Sequence, residues 1–357
     1  MRILHISDFG RRATGIGTVI ERLLTEQTSL GHEVRIVNVT ENIAYKHLDI
    51  MTCYEKADLE NFIREWRPDA VLFHSIWIMP YIGFARVLKT NDIPYAIMMH
   101  GADSKENRKR STIKKWGANV LMFNRFMKNA SAVIYLSKTE EELCLSAKNN
   151  KNNVIIPNGC DEGEFNIDSI GIHTPVNIVY LGRIDKFHKG VDVLLDALGI
   201  LKAQKFYEVR VSFYANENDV DLQYLKDRLP ELDGIAAYRG GVYGEDKCKV
   251  LREADAFVLT SRFEGMPMGV LEAISYGVPC ILTPGTNMAD DLRYVGAGWK
   301  AEFDAHSVAE KIKEAVADLN NHYCMHHEAA YNLSANYNWK RIAQMHIDLM
   351  NRISEKQ

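Results

Sequence analysis

Several features are missing from this sequence, and each absence removes a class of protein. No two of its six cysteines (Cys53, Cys144, Cys160, Cys248, Cys280 and Cys324) form a CxxC pair, which argues against a disulfide framework or structural zinc and for reduced thiols. Basic charge is not in excess: 43 Lys and Arg stand against 47 Asp and Glu, a formal net charge of −4. A general attraction to nucleic acid is therefore not expected, and any polyanion must be bound locally. No stretch approaches the ~20 apolar residues that span a bilayer, and the opening MRILHISDFG has no apolar leader with a cleavage site. A cytoplasmic protein is the expectation. Short-period repeats and low-complexity segments are lacking as well.

What remains is the composition of a globular protein, 46% hydrophobic and 25% charged over 357 residues. That length suits two domains of roughly 100–150 residues or somewhat more each. Short β-branched runs alternate with helical patterns almost from end to end. Strands are expected near 2–6, 33–39, 69–74, 94–99, 131–136 and 153–157, and again near 176–182, 208–214, 235–240, 256–260, 278–283 and 298–302. Strand-helix alternation implies crossover connections, hence α/β domains with parallel sheets covered on both faces. Two such sets predict two Rossmann-like domains, divided in the polar, aperiodic stretch NGCDEGEFNIDSIGIHTP (158–175). Open parallel sheets bind ligands beyond the carboxyl ends of their strands. The rule selects Asp8 to Gly17, His74, His100 to Asp103, Ser137, Arg183 to Gly190, Gly240 to Gly244 and Glu264 to Glu272.

The stretch SRFEGMPMGVLEAISYGVP (261–279) carries two carboxylates at a strand-to-helix corner. Gly265, Pro267 and Gly269 turn the chain, leaving Glu264 in the loop and Glu272 in or near the first helical turn. The backbone amides from Met266 through Met268 and Gly269 to Val270 are expected to form an anion site at the helix N-terminus. The acids would then accept hydrogen bonds from hydroxyls, Glu272 from a ribose diol and Glu264 from a sugar. In GRIDKFHKG (182–190), Arg183 and Lys189 supply a planar fork and a point charge that could neutralise a diphosphate without a metal. The ligand these residues suggest is a sugar joined through phosphates to a nucleoside.

These motifs resemble the retaining glycosyltransferases of the GT-B fold, in particular family 4 (glycosyl transferases group 1). The similarity also takes in TGIG (14–17), HG (100–101), IPNG (156–159) and YNWKRIAQMHIDLM (337–350). It implies two Rossmann-like domains whose parallel sheets face a central cleft. Residues 1–160 would form an acceptor-side domain completed by a returning helix at 340–357, and 161–339 a nucleotide-sugar domain. In the family, the residue matching Glu264 contacts the transferred sugar, the one matching Glu272 the nucleotide ribose, and those matching Arg183 and Lys189 the diphosphate. His100 would approach the sugar from the first domain, Gly15 would contribute to donor binding, and backbone around Gly241 to Tyr243, with Val242 between them, is expected to meet the base. Two departures stand out: Thr14-Gly15 occupies the place of a paired glycine, and YANEND (214–219) replaces a glycine-rich turn.

The implied activity is metal-independent and cofactor-free hexosyl transfer from a UDP- or GDP-sugar to the hydroxyl of a saccharide or lipid-linked saccharide, with retention, in bacterial-type polysaccharide or glycolipid biosynthesis. A sugar-nucleotide 2-epimerase of the same build and a non-catalytic sugar-nucleotide-binding protein remain alternatives. Asp219-Val-Asp221 matches the DxD metal motif only formally and is read as the acidic start of a helix. His326 and His327 are adjacent and so lie on different helix faces, which suits a metal poorly. Segment 105–128 sets eight basic residues against one glutamate, with Trp116, Phe123 and Phe126 among them. That pattern fits either peripheral contact with the inner face of a membrane or a solvated helix face.

Overall fold

The structure, a computed structural model, describes residues 1–9, 15–41, 43, 45–103 and 116–355, the side chains of 116–120 and 169 excepted. The chain divides into two compact units, one of Met1–Gly159 with Trp339–Gln357 and one of Cys160–Asn338.

Unit 1 is built on a seven-stranded sheet in the order β3-β2-β1-β4-β5-β6-β7. Its strands are β1 (Arg2–Ser7), β2 (Glu33–Asn38), β3 (Ile50–Thr52), β4 (Ala70–His74), β5 (Tyr95–Met98), β6 (Ala132–Tyr135) and β7 (Asn153–Ile155). Every neighbouring pair is parallel. All residues of β4, β5 and β6 are buried, so both faces of the sheet's middle are covered, which explains their unbroken apolar runs. The sequence pattern misses β3, a three-residue edge strand with no apolar run to announce it.

The helix Trp339–Ser354 rejoins unit 1, packing on the helix Gly15–Ser29 and burying Ile342, Ala343, His346, Ile347 and Met350. Its first residue explains the IPNG motif: a Cβ on Gly159 would lie 2.4 Å from the Trp339 indole. The close approach of backbone to ring leaves room only for glycine.

Segment 105–128 falls partly outside the described residues. Within the helix Trp116–Asn129, Phe123 and Phe126 are 2% and 3% exposed, and Phe126 stacks on Tyr95 and meets Phe73 edge-on. Three residues apart, they share the helix face turned to the core and are not surface anchors. Among the described residues no helix is long and apolar enough to cross a membrane.

Unit 2 carries a six-stranded sheet in the order β10-β9-β8-β11-β12-β13, again parallel throughout. Its strands are β8 (Val176–Leu181), β9 (Val209–Tyr214), β10 (Ala236–Gly240), β11 (Ala256–Leu259), β12 (Cys280–Leu282) and β13 (Gly298–Lys300). The order of connection reverses at β8, which pairs with β9 on one side and β11 on the other. The loops leaving β8 and β11 therefore flank a topological switch point, where such sheets bind ligands.

Two outcomes follow from unit 1. Gly159→Ala should destabilise by about 1–3 kcal/mol through overpacking against Trp339, read from denaturant titration, and Trp339→Leu should relieve much of that cost. His5 and His346 are fully buried, and burial pushes them down to about 4 and about 3. The unfolded chain takes up these protons near pH 6.5, so folding stability falls with pH below that value, until about 4 for His5 and about 3 for His346. Each group contributes a slope of about 1.4 kcal/mol per pH unit within its window. His346→Leu should flatten the dependence measured between about pH 7 and about pH 5.

Candidate active site

In unit 2 the loop 182–190 is pinned from several directions. Tyr180, buried in β8, donates its hydroxyl to Arg183 O at 2.8 Å. Asp219 accepts the Ile184 amide and Asp221 the Lys186 amide, both at 2.7 Å, while Asp185 accepts the His188 amide at 2.7 Å. The aspartates of the DxD triplet thus hold the basic loop, a role the helix-opening interpretation missed because their partners lie on another strand's loop. Gly190, with φ of 63°, closes the loop, and a Cβ there would sit 2.0 Å from Thr260 O. The loops after β8 and β11 meet at this point, where Thr260 Oγ1 also donates to Gly190 O at 2.9 Å. Arg262 adds a bidentate clamp on Asp192, at 3.0 and 2.6 Å.

The charged residues selected from the sequence come together here. Lys189 Nζ lies 2.6 Å from Glu264 Oε1, and the two side chains are only 16% and 10% exposed. Ser261 Oγ donates to the same carboxylate oxygen at 2.8 Å. Burial alone would raise the Glu264 carboxyl, but Lys189, His188 and Ser261 outweigh it and hold the group below the ordinary carboxylate value. Arg183 Nη2 donates to His188 Nδ1 at 3.0 Å, which places the His188 proton on Nε2, 3.7 Å from Glu264 Oε2. Burial, with Lys189 and Arg183 adding to it and Glu264 opposing it, lowers His188 and keeps it neutral at neutral pH. Arg183 itself is half exposed, 3.6 Å from Asp185. Asn287, another residue without a sequence signal, donates Nδ2 to Glu264 O at 2.7 Å and Gly265 O at 3.0 Å and fixes the turn.

The helix Met268–Ser275 begins after Pro267. Val270 N already bonds Pro267 O at 3.1 Å, so the expected run of ligand-facing amides loses Val270, and Pro267 has no N–H to give. Met266 is 7% exposed, packed beneath the corner. Gly269 lets the helix lie close on the sheet, since a Cβ there would be 3.2 Å from Leu181 O and 3.3 Å from the Phe257 ring. Glu272 lies just past the first helical turn and pairs with Lys247 at 2.8 Å. On the loop after β10, Val242 is half-buried and Tyr243 is 66% exposed, its hydroxyl accepting from Asn216 at 2.9 Å.

The remaining two candidates belong to unit 1. Gly15 is the exposed first residue of its helix, and residues 10–14 before it lie outside the described residues. His100 follows β5 with φ of 52° and Gly101 with 73°, while Ser75 and Trp77 after neighbouring β4 have 69° and 64°. Left-handed backbone at three non-glycine positions is strain, and it gathers at the sheet edge where ligands bind. Glu140 accepts both the Gly101 and Leu136 amides, and burial pushes its carboxyl up to about 7 against these bonds. The S-x-x-E box of Ser137 and Glu140 was the available signal for this anchor. Three buried or half-buried histidines line up behind: His100 Nε2 is 3.0 Å from His74 Nδ1, and His74 Nε2 is 2.9 Å from His5 Nδ1.

Among the described residues no three His, Cys, Asp or Glu side chains cluster as metal ligands. His326 donates Nδ1–H to Gly296 O at 2.7 Å, and His327 is buried beside Tyr323.

A family model described as Glycosyltransferase Family 4 matches residues 13–164, and one described as Glycosyl transferases group 1 matches residues 175–318. Among curated proteins, the chain is 33% identical to mannosylfructose-phosphate synthase of Agrobacterium fabrum over 114 residues, 30% of this chain and 25% of that one. It is 26% identical to the amylovoran biosynthesis glycosyltransferase AmsK of Erwinia amylovora over 206 residues, 50% of this chain and 49% of the relative. The matched stretches thus span a quarter and about half of those two relatives. The crystal structure of Anabaena HepE in complex with UDP is similar in fold, with a TM-score of 0.78 at 16% identity over 99% of this chain and 100% of that one. With a parallel-sheet Rossmann-like unit under each family match, and the two matches together taking in most of the sequence, the chain belongs to the glycosyltransferases of the GT-B fold.

Proposed function

We propose that this chain transfers a hexose-type sugar from a UDP- or GDP-linked donor to the hydroxyl of a saccharide or lipid-linked saccharide, with retention, in the assembly of a polysaccharide or glycolipid. The observation that carries the proposal is the Lys189–Glu264 pair with Arg183 beside it, at the switch point between β8 and β11. HepE, of similar fold, was solved with UDP, and AmsK acts in amylovoran biosynthesis.

The chemistry follows from the charges. A buried ion pair is nearly neutral from outside, and the mutual attraction of its charges offsets much of the cost of desolvating them while the site is empty. An arriving diphosphate gives Lys189 a second, stronger anionic partner and engages the exposed Arg183 fork. Both cations then stabilise the charge that develops as the phosphate leaves, which is preorganised electrostatic catalysis. Glu264, no longer neutralised in full, keeps Oε2 for a sugar hydroxyl, and the neutral His188 presents Nε2–H to the same carboxylate. Glu272, steadied by Lys247, accepts from the ribose diol. In this reading Glu264 orients the sugar and does not attack it, so retention would proceed on one face, the departing phosphate oxygen taking the acceptor's proton.

Thermal unfolding against UDP-, GDP- and ADP-sugars tests the donor class. A true ligand at about 100 times its Kd should stabilise by about 2.7 kcal/mol, and Glu272→Ala should lose most of that shift. Glu264→Gln strips Lys189 of its counter-charge, so UDP or GDP should bind several-fold tighter while transfer falls by roughly 100-fold. Weaker nucleotide binding in that variant would count against the ion-pair account. Lys189→Met leaves a buried carboxylate unpaired and should destabilise unit 2 by about 3–5 kcal/mol, with recovery in the Lys189→Met/Glu264→Gln double variant. NMR of the new anomeric linkage decides the stereochemistry, and an inverted product, or an epimerised sugar released from donor alone, would overturn the assignment.

A further inference from the structure

Behind His100 the chain of imidazoles continues to an end that the family motifs do not touch. His5 Nε2 lies 2.8 Å from Gln27 Oε1, on the helix Gly15–Ser29. The rings are near parallel, with His5 and His74 stacked at 5.1 Å and 18° and His74 and His100 at 5.3 Å and 25°. Gln27, His5 and His74 are fully buried, and His100 alone of the four is half-buried. Burial lowers all three histidines, so each is neutral and carries one ring proton. His346, also fully buried, sits against the same rings and adds a further group that disfavours a charge there.

Hydrogen-bond arithmetic then leaves two arrangements for the whole chain. A neutral imidazole donates from one nitrogen and accepts at the other, so the direction of any one bond fixes the rest. An amide oxygen can only accept. The Gln27 amide is turned with Oε1 toward His5 and Nε2 buried without a partner. In that orientation the His5 proton is on Nε2, its Nδ1 accepts from His74 Nε2–H, and His74 Nδ1 accepts from His100 Nε2–H, whereas the flipped amide would donate and reverse the whole chain. We infer that Gln27 is a positioning residue that sets the tautomer of His100 through His5 and His74, leaving His100 Nδ1 as a hydrogen-bond acceptor for a ligand hydroxyl. In the opposite arrangement His100 would present an N–H and repel a donor. The consequence for transfer rests on the glycosyltransferase proposal, but the tautomer itself does not.

Long-range proton–nitrogen correlation spectra of the full chain labelled with 15N-histidine, recorded near neutral pH, test this directly, with His100→Gln used to assign its signals. His100 should show a single Nε2-protonated pattern in the wild type. Gln27→Met should replace it with an averaged or mixed pattern, and His5→Phe, which cuts the chain one link on, should do the same. An Nδ1-protonated His100 in the wild type would overturn the inference whatever the variants do. So would an unchanged His100 pattern in a folded Gln27→Met or His5→Phe protein. Loss of sugar transfer with these patterns intact would instead count against the functional proposal.

Discussion

Every strand pairing in both sheets is parallel, and this one constraint decides where chemistry can occur. Parallel strands need crossovers, crossovers bury both faces, and buried faces leave polar side chains room mainly at the strand ends. Arg183, Lys189, Glu264 and His100 all follow the carboxyl end of a strand. In unit 2 the reversal of strand order at β8 sets the loops after the neighbouring strands β8 and β11 side by side, and the charged pair lies between them.

The two units hold their polar groups in opposite ways. Unit 2 keeps its ionised groups and matches them: Lys189 with Glu264, Lys247 with Glu272, Arg262 with Asp192. Unit 1 keeps the buried His5, His74 and His100 neutral and links them end to end through hydrogen bonds. A matched ion pair can be disturbed by an incoming charge, which suits a diphosphate site. A neutral chain resists charge and instead conveys direction, donor to acceptor, over three rings.

The sequence revealed the sheets well because their central strands are apolar on both faces, and it missed β3 because an edge strand of three residues leaves no run to see. The basic loop and the glutamate corner were legible from their glycines and spacing. Their wiring was not. Asp219 and Asp221 looked like local helix acids, yet their partners Ile184 and Lys186 belong to a neighbouring loop, and only the pairing of β8 with β9 brings them together. Ser261, Asn287 and Lys247 are single polar residues with no pattern of their own. The histidine chain did leave a trace: RILHIS, AVLFH and IMMH each place a histidine in or just after an apolar strand, and β1, β4 and β5 are adjacent in the sheet. Phe123 and Phe126 misled in the other direction, since an aromatic near basic residues reads as a surface anchor until its partners Phe73 and Tyr95 are known.

Unit 1 is assembled from two stretches of chain, and its last helix carries both the Trp339 ring over Gly159 and the His346 imidazole among the buried histidines. During synthesis the first stretch leaves the ribosome long before these residues exist. The nascent first unit must therefore wait, with the face of the helix Gly15–Ser29 uncovered, while all of the second unit emerges and can fold. Maturation of the two halves thus runs against the order of translation.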